Sequence, residues 1–283
     1  MEILRLDGLC KQYPAFRLDS VSFSMDAGTI MGLIGRNGAG KTTTLKSMLH
    51  LVHPDAGRIS VCGLDMDRDE RAIRSRIGFV SGGASYYPRK RLRELTDVTR
   101  RFYPDWDDGR YTRLVRQFAL DESKRVCELS EGMKVKYQLA AAMSHKAELL
   151  ILDEPTSGLD PVSRDELLEM FLTLCENEGV SILFSTHITS DLDACADTIT
   201  YIQNGRVAVS ADKKSLTGAY LSVRGQDAAC GAALRAKLIG ARSHKGELDA
   251  LIRKEDAPLA SGFALSPANL ESIMVHLERE AEV

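Results

Sequence analysis

Apolar and polar residues alternate from Ile3 to Leu9 and again from Leu18 to Met25, the period of strands with one buried face and one solvated face. After the turn Asp26-Ala27-Gly28, Thr29 to Ile34 is mostly apolar, as a strand covered on both faces would be. Thr44 to Leu51 predicts the start of a helix. Pro54-Asp55-Ala56-Gly57 marks another turn, and Arg58 to Cys62 predicts a short strand continuing the first sheet. A charged run from Asp65 to Arg76 leads into the apolar strand Ile77 to Val80. Ser81-Gly82-Gly83-Ala84-Ser85 then reads as a flexible connector, placed where a hinge would serve.

The texture changes between about residues 90 and 145. Leu92, Leu95, Val98 and Phe102 recur at helical spacing, and Asp108 to Phe118 predicts a second helix beyond Tyr103-Pro104-Asp105-Trp106-Asp107. Ser130 is placed to cap a third helix running to about Met143, with Met133 where a capping box would carry an acid. Strand character returns at Leu149 to Leu152 and at Ser181 to Ser185, with an amphipathic helix from Ser163 to Cys175 between them. Ile188 to Ala196 predicts a further helix. Ile199 to Ile202 and Arg206 to Val209 flank Asn204-Gly205, a favoured hairpin turn.

This alternation predicts an α/β core over residues 1–215 with a helical subdomain inserted at about 90–145. Residues 216–283 read as a small appended α/β region. There Ala219 to Val223 predicts a strand, Asp227 to Leu238 an Ala-rich helix, and Asn269 to Glu280 a last helix capped at Ser266 and Pro267.

Composition narrows the function classes. The chain has 283 residues, a formal net charge of -3 and a pI near 6.1. That balance argues against a nucleic-acid surface as its main business. Six cysteines are scattered without close metal-ligand spacing and read as small buried hydrophobes in a reducing compartment. His50, His53, His145, His244 and His276 form no ligand spacing either. The amino terminus lacks a basic segment followed by an apolar run, and no apolar stretch reaches about 18 residues. A cytoplasmic chain is expected, with any membrane role resting on a partner that supplies the spanning helices.

The strongest chemistry lies in Gly35-Arg36-Asn37-Gly38-Ala39-Gly40-Lys41-Thr42-Thr43, a G-x-x-x-x-G-K-T spacing between a strand and a helix. Glycines there let backbone N–H groups turn toward phosphate, and the helix N-terminus adds positive potential. Lys41 has the reach for β- and γ-phosphates and the Thr42 hydroxyl suits Mg²⁺. Asp153 and Glu154 end a buried apolar strand, a costly place for carboxylates without work or partners. Asp153 suits control of Mg²⁺, and Glu154 points differently and suits orienting or activating a water. His187 follows the next apolar strand, at the sheet edge where a nucleotide would sit. Tyr13 is an aromatic among polar neighbours, suited to stacking on a base or to an ordinary surface role. The basic run Arg89-Lys90-Arg91, with Arg93 and Arg100-Arg101, reads as a contact surface or as a solvated face balanced by Glu94, Asp97, Asp105, Asp107 and Asp108.

Taken in order, these segments resemble the ATP-binding subunit of ABC transporters over about residues 1 to 215. The RFYPDWD stretch, residues 101 to 107, is similar to one in bacterial exporter-type members. GRNGAGKTT resembles the Walker A loop, LLILDEP the Walker B strand, SGLD at 157 to 160 the D-loop, STH at 185 to 187 the switch, and LSEGM at 129 to 133 the signature. The resemblance implies a P-loop ATPase core of ABC type that uses ATP and Mg²⁺. Gly35, Asn37, Gly38, Gly40, Lys41, Thr42 and Thr43 would then cradle the phosphates, and Tyr13 would stack on the base. Asp153 and Thr42 would hold the metal, with Glu154 as general base and His187 at the γ-phosphate. Ser130 and Gly132 would meet the nucleotide of a second copy, with Asp160 in the segment coupling the two sites.

The partners implied are a second ATP-binding subunit, identical or different, and a polytopic membrane permease at the inner face of the cell membrane. Head-to-tail closure of two subunits on ATP would drive transport. A soluble or regulatory module of the same ATPase class, with weak hydrolysis and no direct transport role, is the alternative. A P-loop GTPase or kinase would share the phosphate loop without needing the signature or the switch histidine. Two departures stand out. Glu131 and Met133 replace the usual Gly and Gln of the signature, and Gly82 stands where a Gln, or sometimes a Glu, follows the strand IGFV. Gly82 has no side chain to touch Mg²⁺ or the attacking water.

Overall fold

The amino-terminal alternation folds as an antiparallel hairpin, β1 (Glu2–Tyr13) and β2 (Phe16–Asp26), in a computed structural model that describes residues 1–81 and 87–281. The connector Gly82 to Ser85, and the reading of Gly82 in place of Gln, lie outside the described residues. The chain divides into one compact unit from Met1 to Ser210 and another from Ala211 onward.

In the first unit the hairpin is followed by β3 (Ile30–Ile34), α1 (Lys41–Met48), β4 (Ala56–Val61), β5 (Leu64–Asp65), α2 (Met66–Arg76) and β6 (Ile77–Ser81). The helical segment holds α3 (Leu92–Thr99), α4 (Asp108–Gln117) and α5 (Glu131–Ser144). Then come β7 (Leu149–Asp153), α6 (Pro161–Glu178), β8 (Ser181–Thr186), α7 (Thr189–Cys195), β9 (Thr198–Gln203) and β10 (Arg206–Asp212). One sheet has the order β2-β1-β4-β5, and its β1 pairings with β2 and β4 are antiparallel. The other has the order β10-β9-β3-β8-β7-β6, and its β9–β3, β3–β8, β8–β7 and β7–β6 pairings are parallel.

The central strands are apolar because both faces are covered: every residue of β3 and β8 is buried. Between the sheets lie Leu4, Leu6, Leu18, Leu33, Leu45 and Ile151. Leu45 and Met48 anchor α1 in this core at 0% exposure, worth about 1.5–3 kcal/mol each. α1 begins at Lys41 rather than Thr44 because Gly40 adopts φ 114° and ends the loop there. It stops at Met48 because Leu49 leaves helical geometry and His50 turns to φ 51°. α6 starts at Pro161, earlier than the amphipathic pattern suggests, because Asp160 caps it and proline suits the first helical position.

In the helical segment, Thr96, Tyr111 and Tyr137 join hydroxyls in a buried cluster, and Tyr111 donates to Glu122 at 3.0 Å. α5 packs so closely on β6 that a Cβ on Gly78 would lie 2.5 Å from the Ala142 methyl. Gln138 of α5 also accepts from the Ser81 amide at 3.1 Å. The basic run is a solvated face in part: Lys90 pairs with Glu94, and Arg100 with Asp97 and Asp108.

The second unit contains α8 (Lys213–Gly218), β11 (Tyr220–Gln226), α9 (Ala232–Arg235), β12 (Leu238–His244), β13 (Glu247–Arg253), β14 (Ala264–Pro267) and α10 (Leu270–Ala281). Its sheet has the order β12-β13-β11-β14 around Val223, Leu248, Ala250 and Ile252. The Ala-rich helix expected at Asp227 to Leu238 does not form as one element. Cys230 is extended and Gly231 follows it, leaving a 3-10 turn and the single turn α9; so short a segment is marginal as a helix. Ser266 and Pro267 do not cap the last helix, because they pair with β11; the Asn269 side chain accepts from the Ser272 amide instead. The cysteines also differ from expectation. All are free, but Cys195 alone is buried and Cys127 is exposed.

Candidate active site

Parallel register brings the chemistry to one sheet edge. Ile34 pairs with Thr186, Asp153 with Ser185, and Ser81 with Asp153. The loop after β3, the carboxylates ending β7 and the histidine after β8 therefore emerge side by side, at the carboxyl ends where open α/β sheets bind ligands.

In the loop, Asn37 and Gly38 form an exposed turn, while Gly35 and Gly40 are buried beneath it. A Cβ on Gly35 would lie 2.3 Å from the Ile202 carbonyl oxygen. One on Gly40 would sit 2.8–2.9 Å from Leu18 and Phe16, at a φ that side chains rarely adopt. Lys41 is 5% exposed. Its Nζ donates to the Gly35 carbonyl at 2.8 Å and lies 3.3 Å from Glu154 Oε1. Thr42 opens to solvent and Thr43 is half-buried.

Asp153 Oδ1 gathers hydroxyls, accepting from Thr42 Oγ1 at 3.2 Å and from Ser185 Oγ at 2.7 Å. One carboxylate and one exposed hydroxyl make a hard oxygen pair. Among the described residues no group of three His, Cys, Asp or Glu could cage a metal. The donor set fits Mg²⁺, which takes one or two carboxylates and completes its shell with phosphate and water.

Glu154 has φ 51°, in the left-handed region that costs a side-chain-bearing residue roughly 1–2 kcal/mol. Two contacts to its amide hold that turn: Ser185 Oγ at 3.0 Å and the Ser185 carbonyl at 3.2 Å. The reversal lets Glu154 reach Lys41 with Oε1 and His187 with Oε2. His187 donates from Nδ1 at 2.8 Å, since an ionised carboxylate only accepts.

The remaining sequence candidates lie elsewhere. Tyr13 ends β1, half-buried, with its ring 6.5 Å from that of Phe16. Ser130 caps α5 by accepting from the Met133 amide at 3.2 Å. Gly132, in the first turn of that helix, faces Leu159 and Ser163. Asp160 caps α6, and hydrogen bonds from Ser163 and Val162 hold its carboxyl below the ordinary range.

Sequence reasoning passed over Ser185 and Asp191. Ser185 is fully buried between the two acidic residues; its signal was a serine ending an apolar strand beside the one that ends in Asp153. Ser185→Ala is expected to destabilise the protein by about 1–3 kcal/mol, because it removes a buried hydrogen bond to the Asp153 carboxylate and one from the Glu154 amide, which keep only the Thr42 hydroxyl and the Ser185 carbonyl. Urea unfolding of the two proteins measures this, and equal midpoints refute it. Asp191 is 1% exposed and accepts from Thr156 Oγ1 at 2.6 Å; burial pushes its carboxyl up.

Comparison with known proteins gives a consistent result. A family model described as "ABC transporter" matches residues 18–157. Bacitracin transport ATP-binding protein BcrA of Bacillus licheniformis is 31% identical over 208 residues, 72% of this chain and 68% of that protein. Nod factor export ATP-binding protein I of Burkholderia lata is 38% identical over 194 residues, 67% of this chain; the match spans only 64% of the relative's length. The solved structure of an ATP binding subunit of an ABC transporter superposes with a TM-score of 0.68 at 30% identity, covering 76% of this chain and 91% of that one.

Proposed function

The chain belongs to the ATP-binding subunits of ABC transporters, and from that premise we propose that it hydrolyses Mg²⁺-ATP to drive transport through a membrane permease. The observation that carries this reading is the Glu154 carboxylate, set between Lys41 and His187 at the edge that also bears Thr42 and Asp153. In this reading phosphate oxygens replace the carbonyl and carboxylate partners of Lys41. That exchange frees Glu154 Oε1 to accept a proton from water, while His187 keeps Oε2 in place. Mg²⁺, when bound, would neutralise negative charge developing on the phosphates. Thr42 and Asp153 would hold it, and the loop amides from Gly35 to Thr43 bind and orient the phosphates. Tyr13 stacks on the base.

Ser130 and Gly132 head α5, away from the contacts that assemble this edge. We assign them to the nucleotide of a second subunit, with Asp160 between the two sites. Among the described residues no helix is long and apolar enough to cross a membrane. The permease partner is supported by an apolar groove of about 820 Å³ lined by Leu49, Phe79, Leu95, Val98, Tyr103 and His145. Val98 and nearby Phe102 are 53% and 74% exposed, an apolar rim of the kind that marks interaction surfaces. This would place the chain at the inner face of the membrane.

Turnover of purified protein across a Mg²⁺ series tests the reading. Asp153→Ala should raise the Mg²⁺ needed for half-maximal ATP binding and turnover by at least ~10-fold. Turnover in the wild type without divalent metal, or an unchanged Mg²⁺ requirement in the variant, refutes it.

A further inference from the structure

Behind the Glu154–His187 pair lies a second, wholly internal contact. Thr156, at 0% exposure, donates to Asp191 Oδ2 at 2.6 Å. Thr156 follows Glu154 by a single proline, and Asp191 lies in the first turn of α7, the helix that His187 leads into. The contact ties together the two segments that carry the carboxylate and the imidazole. The other Asp191 oxygen, Oδ1, is buried without a hydrogen-bond partner. Facing it at 3.9 Å is Arg164 Nε, likewise buried and without one. Arg164 sits in α6, one turn beyond Asp160, where the loop Ser157 to Asp160 enters that helix.

Two complementary orphan groups so close are poised for a charge-assisted bond, which forms at about 2.7–2.9 Å. A shift of α6 by roughly 1 Å would bring them to that distance. Burial raises the Asp191 carboxyl, and the Thr156 hydrogen bond and Arg164 oppose that rise, so the ionised form depends on both neighbours.

We propose that Asp191 is a positioning residue: through Thr156 it holds Glu154 against His187, and through Arg164 it makes that alignment sensitive to the position of the Ser157–Asp160 loop and α6. This deepens the proposed ATPase reading and rests on it. Asp191 touches no reacting atom in this account, so its loss should lower turnover without weakening nucleotide binding.

The test uses full-length wild type, Thr156→Val, Thr156→Ser, Asp191→Asn, Arg164→Met and the Asp191→Asn/Arg164→Met double variant. ATP turnover is normalised to sites that bind a fluorescent ATP analogue, so loss of folded protein does not enter. Thr156→Val keeps the shape and removes the donor; kcat should fall about 10-fold with KM for ATP within twofold, and Thr156→Ser should restore at least half of it. Asp191→Asn keeps an acceptor for Thr156 and removes the charge. Its kcat should fall about as far as that of Arg164→Met, and the double variant should fall no further than either single change. Wild-type kcat in Thr156→Val, a rise in KM without loss of kcat, or multiplicative losses in the double variant would overturn the proposal while the ATPase reading stands. A wild type that does not hydrolyse ATP at all would remove both.

Discussion

Glu154→Gln should bind ATP with nearly wild-type affinity and hydrolyse it at least ~100-fold more slowly, the range for loss of a positioned general base. The reason lies in what surrounds the side chain. A carboxylate accepts at both oxygens, and here Oε2 takes the proton of His187 while Oε1 faces Lys41 at 3.3 Å. Glutamine has one oxygen. With that oxygen on His187, its NH₂ points to the side where a water must lose a proton, and an amide does not take it. Phosphate binding is untouched, because Lys41, Thr42, Asp153 and the loop amides remain. If ATP bridges two subunits, unhydrolysed nucleotide should leave them closed. Size-exclusion chromatography with ATP and Mg²⁺ should then show a dimer for the variant, under conditions where the wild type turns over and separates. A variant that stays monomeric, or that turns over normally, would refute the role assigned to Glu154.

The chemistry of this edge was legible because each piece is local in sequence. A phosphate loop is a fixed spacing of glycines, a lysine and a threonine, and an apolar strand ending in Asp153-Glu154 announces two carboxylates that need a purpose. The alternation of β1 and β2 and the apolar runs of β3 and β8 marked the strands, since burial on one face or two is written largely in the side chains. What could not be read was whatever depends on parallel register. Ser185 lies beside Asp153 only because β8 pairs with β7, and the hydroxyl that serves both acidic residues is then an ordinary serine in an apolar run. The φ of 51° at Glu154 has no marker either; glycine would have been the natural residue for that turn, and a glutamate keeps it because its amide is held from β8. Nothing within the expected helix Ile188 to Ala196 marks Asp191, although it is buried against Thr156. At the other end of the chain, propensity overstated the helix at Asp227 to Leu238, where alanines suggested a length that Gly231 and the start of β12 do not allow.

Lys41→Ala should lose both binding and chemistry, which separates it from Glu154→Gln. Lys41 is the cation at the loop and is 5% exposed, so its charge acts with little screening by water. Its present partners, the Gly35 carbonyl and the Glu154 carboxylate, mark the position of the ammonium at the mouth of the loop. Removing it takes away the group proposed to meet the β- and γ-phosphates, and with it an electrostatic contact that strengthens as charge moves onto the leaving oxygen. A lost contact of that kind lowers turnover by about 100- to 1,000-fold. A second effect adds to the first. Without the ammonium, the Glu154 carboxylate lacks its cationic neighbour on the Oε1 side and faces an approaching triphosphate of like charge, so affinity for ATP should fall as well. Titration with a fluorescent ATP analogue, read beside steady-state turnover, checks both. The expected result is weaker binding together with at least ~100-fold slower hydrolysis for Lys41→Ala, against near-normal binding with slow hydrolysis for Glu154→Gln. Turnover close to wild type in purified Lys41→Ala would sink the assignment of the loop.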